Sequence, residues 1–284
     1  MFAFVRSKGL LRAGTGIRTA STVSAALDEA VARLPHKEAL RSVKQDVRWS
    51  FKELNARVEE LANGFLDLQF EAGDVVAVWL PNSVENVVTQ LAVARAGLTL
   101  AVIEPEVAAA EELAFILQDS KASGLVFEPK QAGRNQTEIV QGLFPELATF
   151  RERMEVFRPK KLSSFAHPEP YAMMAVAKTL SDKTPLAVTY SKMEGQNPKK
   201  TKVLTHGDVL KRAETLAKSL KLTATDKVLL TGEKTGLSLG PLAAISQNSQ
   251  IVLSTEFTKE AVQQAIEAEH CSIVGSGLEN FKRV

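Results

Sequence analysis

Residues 71–105 read EAGDVVAVWLPNSVENVVTQLAVARAGLTLAVIEP, and this stretch decides the fold class. The run 75–80 is continuously apolar, as expected for a strand that is buried on both faces of a sheet. Pro81 and Asn82 end that strand, apolar residues then recur at helical spacing, and a second apolar run follows at 98–103. The stretch therefore predicts strand, helix and strand, the repeating unit of a parallel sheet covered by helices.

The same alternation extends in both directions along the chain. Ser50 and Glu53 form a capping box in front of an amphipathic helix, and a helix containing Leu113 leads to the apolar run 125–127. The pattern resumes at residues 186–274 after an irregular, proline-rich stretch. We predict an α/β fold in which helices flank parallel sheets in two α/β subdomains.

This pattern divides the chain into four segments. We predict a basic segment over residues 1–22, a first α/β subdomain over 23–130, an irregular Pro-rich linker over 131–185, and a second α/β subdomain over 186–284.

The N-terminal segment has the composition of a mitochondrial transit peptide. It contains Arg6, Lys8, Arg12 and Arg18, is rich in Ser and Thr, and precedes the first acidic residue, Asp28. The alternative interpretation is a basic tail on a cytosolic protein. We also consider that the segment is retained against the body of the protein or a partner.

Composition excludes several classes of protein. The formal net charge is +2, which gives no general affinity for nucleic acid, and we predict no specific nucleic-acid partner. The chain has one cysteine, Cys271, which excludes an internal disulfide framework. No apolar run reaches the roughly 20 residues that a membrane span needs, so we expect at most peripheral contact with a membrane. His36, His167 and His270 lack the spacing of metal ligands, and we predict no metal.

Four sequence segments, taken in their order along the chain, resemble those of a known family. They are ALDEAVARLPHKEAL, RWSFKELNARVEELANGF, the stretch 71–105 and EELAFILQDSKASGLVFEP, all within residues 26–129. Their order and spacing resemble the opening of the adenylate-forming superfamily, which includes AMP-forming acyl-CoA synthetases, luciferases and adenylation domains. The resemblance implies the N-terminal part of an acyl-CoA synthetase-like fold.

A second region resembles the loop with which this family holds the phosphates of ATP. Residues 189–200 read TYSKMEGQNPKK and residues 203–206 read VLTH. They stand where the family has a loop rich in Ser, Thr and Gly, then Pro-Lys-Gly and Leu-Thr-His. The resemblance implies a degenerate cofactor-binding remnant made of Ser191, Gly195, Lys199, Thr205 and His206.

The loop departs from the family pattern. Lys192, Met193 and Glu194 replace Gly, Thr and Thr, and at least one residue is inserted near Asn197. A carboxylate facing triphosphate oxygens costs about 1 to 4 kcal/mol. One hypothesis is that the lysines of the loop and the helix beginning near Thr205 form an anion site. The alternative is that the lysines are solvated and that Thr205 and His206 only begin a helix.

The resemblance places adenine and ribose binding, the hinge and the lid with its catalytic lysine beyond Val284, where this sequence ends. Together with the altered loop, this leads to the expectation of a pseudoenzyme. We therefore predict that the chain is not an enzyme, that it has no catalytic residues and that it holds no cofactor.

Three functional hypotheses remain open. The first is a catalytically inactive structural or accessory subunit of a mitochondrial complex such as the ATP synthase, a respiratory complex or the mitoribosome. It would lie in the matrix or on the matrix side of the inner membrane, use a newly exposed sheet edge to contact other subunits, and co-purify with them. The second is a regulatory module that binds acyl-CoA or nucleotide without turnover. The third is one half of a split adenylate-forming ligase.

Overall fold

A computed structural model describes residues 20–42, 44–107, 109–131, 133–143, 152–155, 180–193, 196–200, 203–232, 236–237, 239–254, 258–276 and 280–284. Helices and strands alternate through these residues. In chain order they are α1 Val23–Arg33, β1 Glu38–Ser42, β2 Val47–Ser50, α2 Phe51–Asp67, β3 Val75–Trp79, α3 Val84–Arg95, β4 Thr99–Val102, α4 Ala110–Ser120, β5 Ala122–Phe127, β6 Lys130–Gln131, β7 Arg134–Asn135, α5 Gln136–Leu143, β8 Glu152–Glu155, β9 Pro185–Met193, β10 Gln196–Lys200, β11 Leu204–Thr205, α6 His206–Ser219, β12 Lys227–Thr231, α7 Leu239–Ser246, β13 Gln250–Leu253, α8 Lys259–Glu269, β14 Ile273–Ser276 and β15 Asn280–Arg283.

Most strands belong to two mixed sheets. Sheet I has the order β15-β14-β12-β13-β1-β2, and sheet II has the order β10-β9-β4-β3-β5-β8, with β11 also paired to β9. The inner strands of both sheets are parallel, whereas β2, β15, β10 and β11 run antiparallel to their neighbours. The predicted α/β fold class is confirmed, and residues 71–105 form the expected strand, helix and strand as β3, α3 and β4.

The hydrophobic core lies between the two sheets. One cluster joins α1, α2, α3, α6 and α7 to strands of both sheets, including Leu40 and Ile251 of sheet I and Val76 and Val78 of sheet II. Side chains alternate along β3, so Trp79 points to the outer face of sheet II and packs there with residues of α4 and α5. Helix α8 covers the outer face of sheet I. The fold is therefore layered as helix, sheet, helix, sheet and helix.

The strand pairing differs from the sequence-based expectation of two units built one after the other. Strand β1 pairs with β13, placing Leu40 opposite Ile251. Strand β4 pairs with β9, placing Leu100 opposite Ala187. Each sheet thus contains strands from both sides of residues 131–185, and the segment boundaries remain predictions about the sequence. No helix in the described part of the chain is both long enough and apolar enough to cross a membrane.

A buried histidine fixes the first helix to the centre of the fold. Thr22 caps α1 by accepting a hydrogen bond from the backbone N–H of Ala25. The N–H of Val23 donates across the core to Nδ1 of His206, over 3.2 Å. His206 is fully buried, and this burial lowers its pKa to about 4. The imidazole is therefore neutral at pH 7 and serves as an acceptor for an N–H at the start of α1.

The buried hydrogen bond between Val23 and neutral His206 predicts that the stability of the protein depends on pH. The unfolded chain takes up a proton on this histidine near pH 6.5, well above the pKa in the folded chain. The contribution of neutral His206 to stability is complete above that pH and is lost as the pH falls towards 4. In His206→Asn, the amide oxygen can still accept from Val23 but no imidazole titrates. We expect the unfolding free energy of this variant to fall by about 2 kcal/mol less than that of wild type between pH 7 and pH 5.

Urea denaturation at the two pH values measures this difference. His36 is exposed, so His36→Asn is the matched control and should keep the wild-type pH dependence. Equal pH dependence in wild type and His206→Asn would contradict the assignment of a neutral acceptor.

Candidate functional site

Two of the predicted phosphate-binding residues, Ser191 and Lys199, lie at the edge of sheet II where its parallel strands end. Strand β9 is parallel to β4, and the chain reverses after Met193 to return as β10. The carboxyl ends of parallel strands are where open α/β sheets bind their ligands. The register pairs Ser191 with Lys199 and Tyr190 with Lys200, and it shifts between Gln196 and Lys199. This β9–β10 hairpin is the structural frame of the candidate site.

Helix α4 contacts the hairpin through one carboxylate. The hydroxyl of Tyr190 donates to Oδ2 of Asp119 over 2.8 Å, and Nζ of Lys200 lies 3.3 Å from the same oxygen. Nζ of Lys200 also donates to the backbone carbonyl of Asp119 over 3.1 Å. Asp119 therefore connects both strands of the hairpin to the last turn of α4.

The phenol of Tyr190 stays protonated at physiological pH. Burial and the neighbouring Asp119 carboxylate, which accepts its hydrogen bond, together raise the pKa of Tyr190 well above the usual range. The hydroxyl is consequently a permanent donor to Asp119. In a strand, neighbouring side chains leave on opposite faces, so the exposed Lys199 lies on the face opposite Lys200.

The structure separates the five predicted residues into two groups. Thr205 in β11 pairs with Pro185 at the beginning of β9, whereas Lys199 pairs with Ser191 near its end. The six steps from residue 185 to residue 191 span about 20 Å of extended strand. The start of α6 is therefore remote from Lys199, and the two do not form one anion site.

Thr205 and His206 both make hydrogen bonds that stabilise the fold. Thr205 is the N-cap of α6, with reciprocal hydrogen bonds of 3.1 Å to Asp208 that form a capping box. His206 accepts from Val23 in the core, and its Nε2 has no hydrogen-bond partner among the described residues. Gly195 lies outside the described residues. A phosphate-binding role for the five residues remains a prediction.

Sequence analysis missed Asp119, which lies 71 residues before Tyr190. A negative charge in the last turn of a helix is unfavourable beside the helix macrodipole, and this was the available sequence signal. Across the part of the chain that the structure describes, no group of three or more His, Cys, Asp or Glu residues is arranged to hold a metal ion.

Comparison with known proteins assigns a family to this fold and hairpin. The sequence model of the family "AMP-binding enzyme" matches residues 27–276. The putative acyl-CoA synthetase YngI of Bacillus subtilis is 24% identical over 282 residues, which cover 89% of this chain and 50% of that protein. The mitochondrial medium-chain acyl-CoA ligase ACSF2 of Rattus norvegicus is 36% identical over 127 residues, which cover 44% of this chain and 20% of the ligase.

Solved structures of related enzymes share the fold. A putative long-chain-fatty-acid CoA ligase of Rhodopseudomonas palustris superposes with a TM-score of 0.73 at 20% identity, over 89% of this chain and 62% of that one. A fatty acyl-CoA synthetase of Mycobacterium tuberculosis superposes with a TM-score of 0.69 at 18% identity, over 89% of this chain and 49% of that one. The expected likeness to the N-terminal part of acyl-CoA synthetases is confirmed.

The expectation that this chain is not an enzyme is wrong. The matching family is one of enzymes, and the relatives are named synthetases and ligases. The chain spans about half the length of the Bacillus relative, so the position of Val284 says nothing about activity. Substitutions such as Glu194 in the loop do not by themselves show that turnover is lost. The chain belongs to the AMP-binding enzyme family and has the fold of the N-terminal part of acyl-CoA synthetases.

Proposed function

We propose that this chain is the phosphate-binding part of an acyl-CoA ligase that activates medium-chain carboxylic acids. In this reaction a carboxylate oxygen attacks the α-phosphorus of ATP, the bond to the β-phosphate oxygen breaks, and pyrophosphate leaves with the acyl adenylate remaining. The observation that carries the proposal is the family match over residues 27–276, which includes sheet II, every strand of sheet I except β15, and the β9–β10 hairpin. The rat ligase supports the medium-chain substrate class.

The proposal gives the hairpin an electrostatic role. Pyrophosphate is a strongly anionic leaving group, and an ammonium group at the carboxyl edge of sheet II would stabilise charge as it develops there. Lys199 is exposed on the face of the hairpin opposite the α4 contact, which suits such a role. We propose that this part of the fold acts together with the segments that the relatives have in addition.

Exchange of labelled pyrophosphate into ATP that depends on an added carboxylic acid substrate tests this function. We expect the protein, purified natively with any accompanying polypeptide, to catalyse exchange with octanoate or decanoate. Lys199→Met should lower kcat/KM for ATP by about tenfold, because a cation near the leaving phosphates is removed.

Lys183→Met is the matched control, since it removes another exposed lysine just before β9 and should leave exchange unchanged. Binding of ATP or acyl-CoA without exchange would favour the regulatory module instead. Absence of both binding and exchange would refute the proposal.

We further propose that the protein is mitochondrial and meets other proteins there. The basic composition of residues 1–22 supports this location, as does the mitochondrial name of the rat relative. Ala20 packs on the core and Thr22 caps α1, so removal of a leader must leave residue 20 in place. Among the described residues β15 pairs with β14 alone, which leaves its outer edge for a strand of another segment or subunit.

Native purification of the tagged protein from mitochondria tests both statements. Mass spectrometry should find a first residue at or before position 20, because a later start would remove contacts on which α1 depends. It should also find a stoichiometric companion protein. A first residue after position 20 would contradict the limit on processing, and a monomeric protein without a companion would contradict the predicted partner.

A further inference from the structure

We infer that Asp119 is a positioning residue for ATP, because it holds both strands of the β9–β10 hairpin from the side opposite Lys199. This inference rests on the proposed function and assigns a role to a residue outside the phosphate-binding loop. Asp119 touches neither substrate nor a reacting atom in this proposal. It acts by fixing the backbone of β9 and β10 that presents Lys199.

The contact geometry supports a clamp on both strands. Tyr190 and Lys200 are directly opposite each other in the antiparallel ladder. Both converge on one carboxylate oxygen of Asp119, at 2.8 Å for the Tyr190 hydroxyl and 3.3 Å for the Lys200 ammonium. Lys200 adds a bond of 3.1 Å to the carbonyl of Asp119. Three secondary-structure elements therefore meet at a single side chain.

The hairpin needs an external support of this kind. Within the described residues β10 pairs with β9 alone, so it is an edge strand at this end of sheet II. Its register shifts between Gln196 and Lys199, which interrupts the ladder close to the loop. A two-stranded ribbon extending beyond the body of a sheet has little stability of its own. Helix α4 packs against β10, whereas β9 is held in the sheet by β4 and β11.

The same geometry argues against Lys200 as a direct phosphate ligand. Its ammonium group is engaged with the carboxylate and the carbonyl of Asp119, at the C-terminal end of α4, where a cation is favoured by the macrodipole. Its neighbour Lys199 leaves the strand on the opposite face. Lys200 thus holds the hairpin, whereas the proposed function assigns the anion to Lys199.

The two roles for Lys200 predict opposite effects of removing Asp119. If Asp119 positions the hairpin, Asp119→Asn and Lys200→Gln each weaken ATP binding, and the double variant is no worse than either single one. If Lys200 binds phosphate and Asp119 only competes for it, Asp119→Asn strengthens ATP binding. The side chains of Asp119 and Lys200 are 36% and 39% exposed, and such an ion pair contributes little to global stability. The variants should therefore fold.

The experiment uses the complete protein and two readouts. The first is hydrogen–deuterium exchange of peptides covering residues 186–203, and the second is pyrophosphate exchange analysed for KM and kcat. For Asp119→Asn we expect hairpin amides to exchange about fivefold faster and KM for ATP to rise about three- to tenfold, with KM for the carboxylic acid unchanged. Glu214→Gln breaks another carboxylate–lysine pair, with Lys218 on α6, and should change neither readout.

Each result decides the inference. Faster hairpin exchange together with a higher KM for ATP supports it. Unchanged hairpin exchange, an unchanged KM for ATP or tighter ATP binding in Asp119→Asn overturns it while leaving the proposed function intact. If wild-type protein neither binds ATP nor exchanges pyrophosphate, the proposed function fails first, and the inference fails with it.

Discussion

The architecture depends on the pairing of β1 with β13, because this pairing alone joins β1 and β2 to the other described strands of sheet I. This pairing brings Leu40 beside Ile251 and makes a strand near the start of the fold an inner strand of a sheet formed mainly by later residues. Polar contacts reinforce the junction from both sides. Asn248 donates to the carbonyl of Ala30, and Lys37 donates to the carbonyls of Ala224 and Asn248. The junction therefore places α1 against the core that both sheets share.

Local sequence predicted local structure well. The stretch 71–105 specifies its strands and helix through short-range features, namely continuous apolar runs, Pro81 and Gly97. The capping box of Ser50 and Glu53 is present in the structure as expected. What the sequence could not supply was the partner of each strand, because β1 and β13 or β4 and β9 are joined by contacts between distant residues. Hydrophobic periodicity indicates that a strand is buried and does not identify its neighbour.

The candidate site shows the same limit on a smaller scale. Ser191, Lys199, Thr205 and His206 are close in sequence, and closeness suggested a single anion site. The antiparallel return of β11 along β9 carries Thr205 back towards Pro185, away from the hairpin. His206 then enters the core and accepts from the first helix. Asp119, which is remote in sequence, reaches Tyr190 and Lys200 instead, since α4 packs against the hairpin.

Each sheet takes strands from distant parts of the chain, and this constrains the order in which the chain can fold. When residues 23–130 have left the ribosome, β1 and its neighbour β2 are both available. The other neighbour of β1 in sheet I is β13, which begins only at Gln250. Elongation proceeds at about 5–20 residues per second, so β1 remains without β13 for several seconds. Contacts between distant residues slow folding and leave apolar strands exposed in the meantime. Until β13 is available, β1 therefore has one unpaired edge, which we expect to need protection from aggregation.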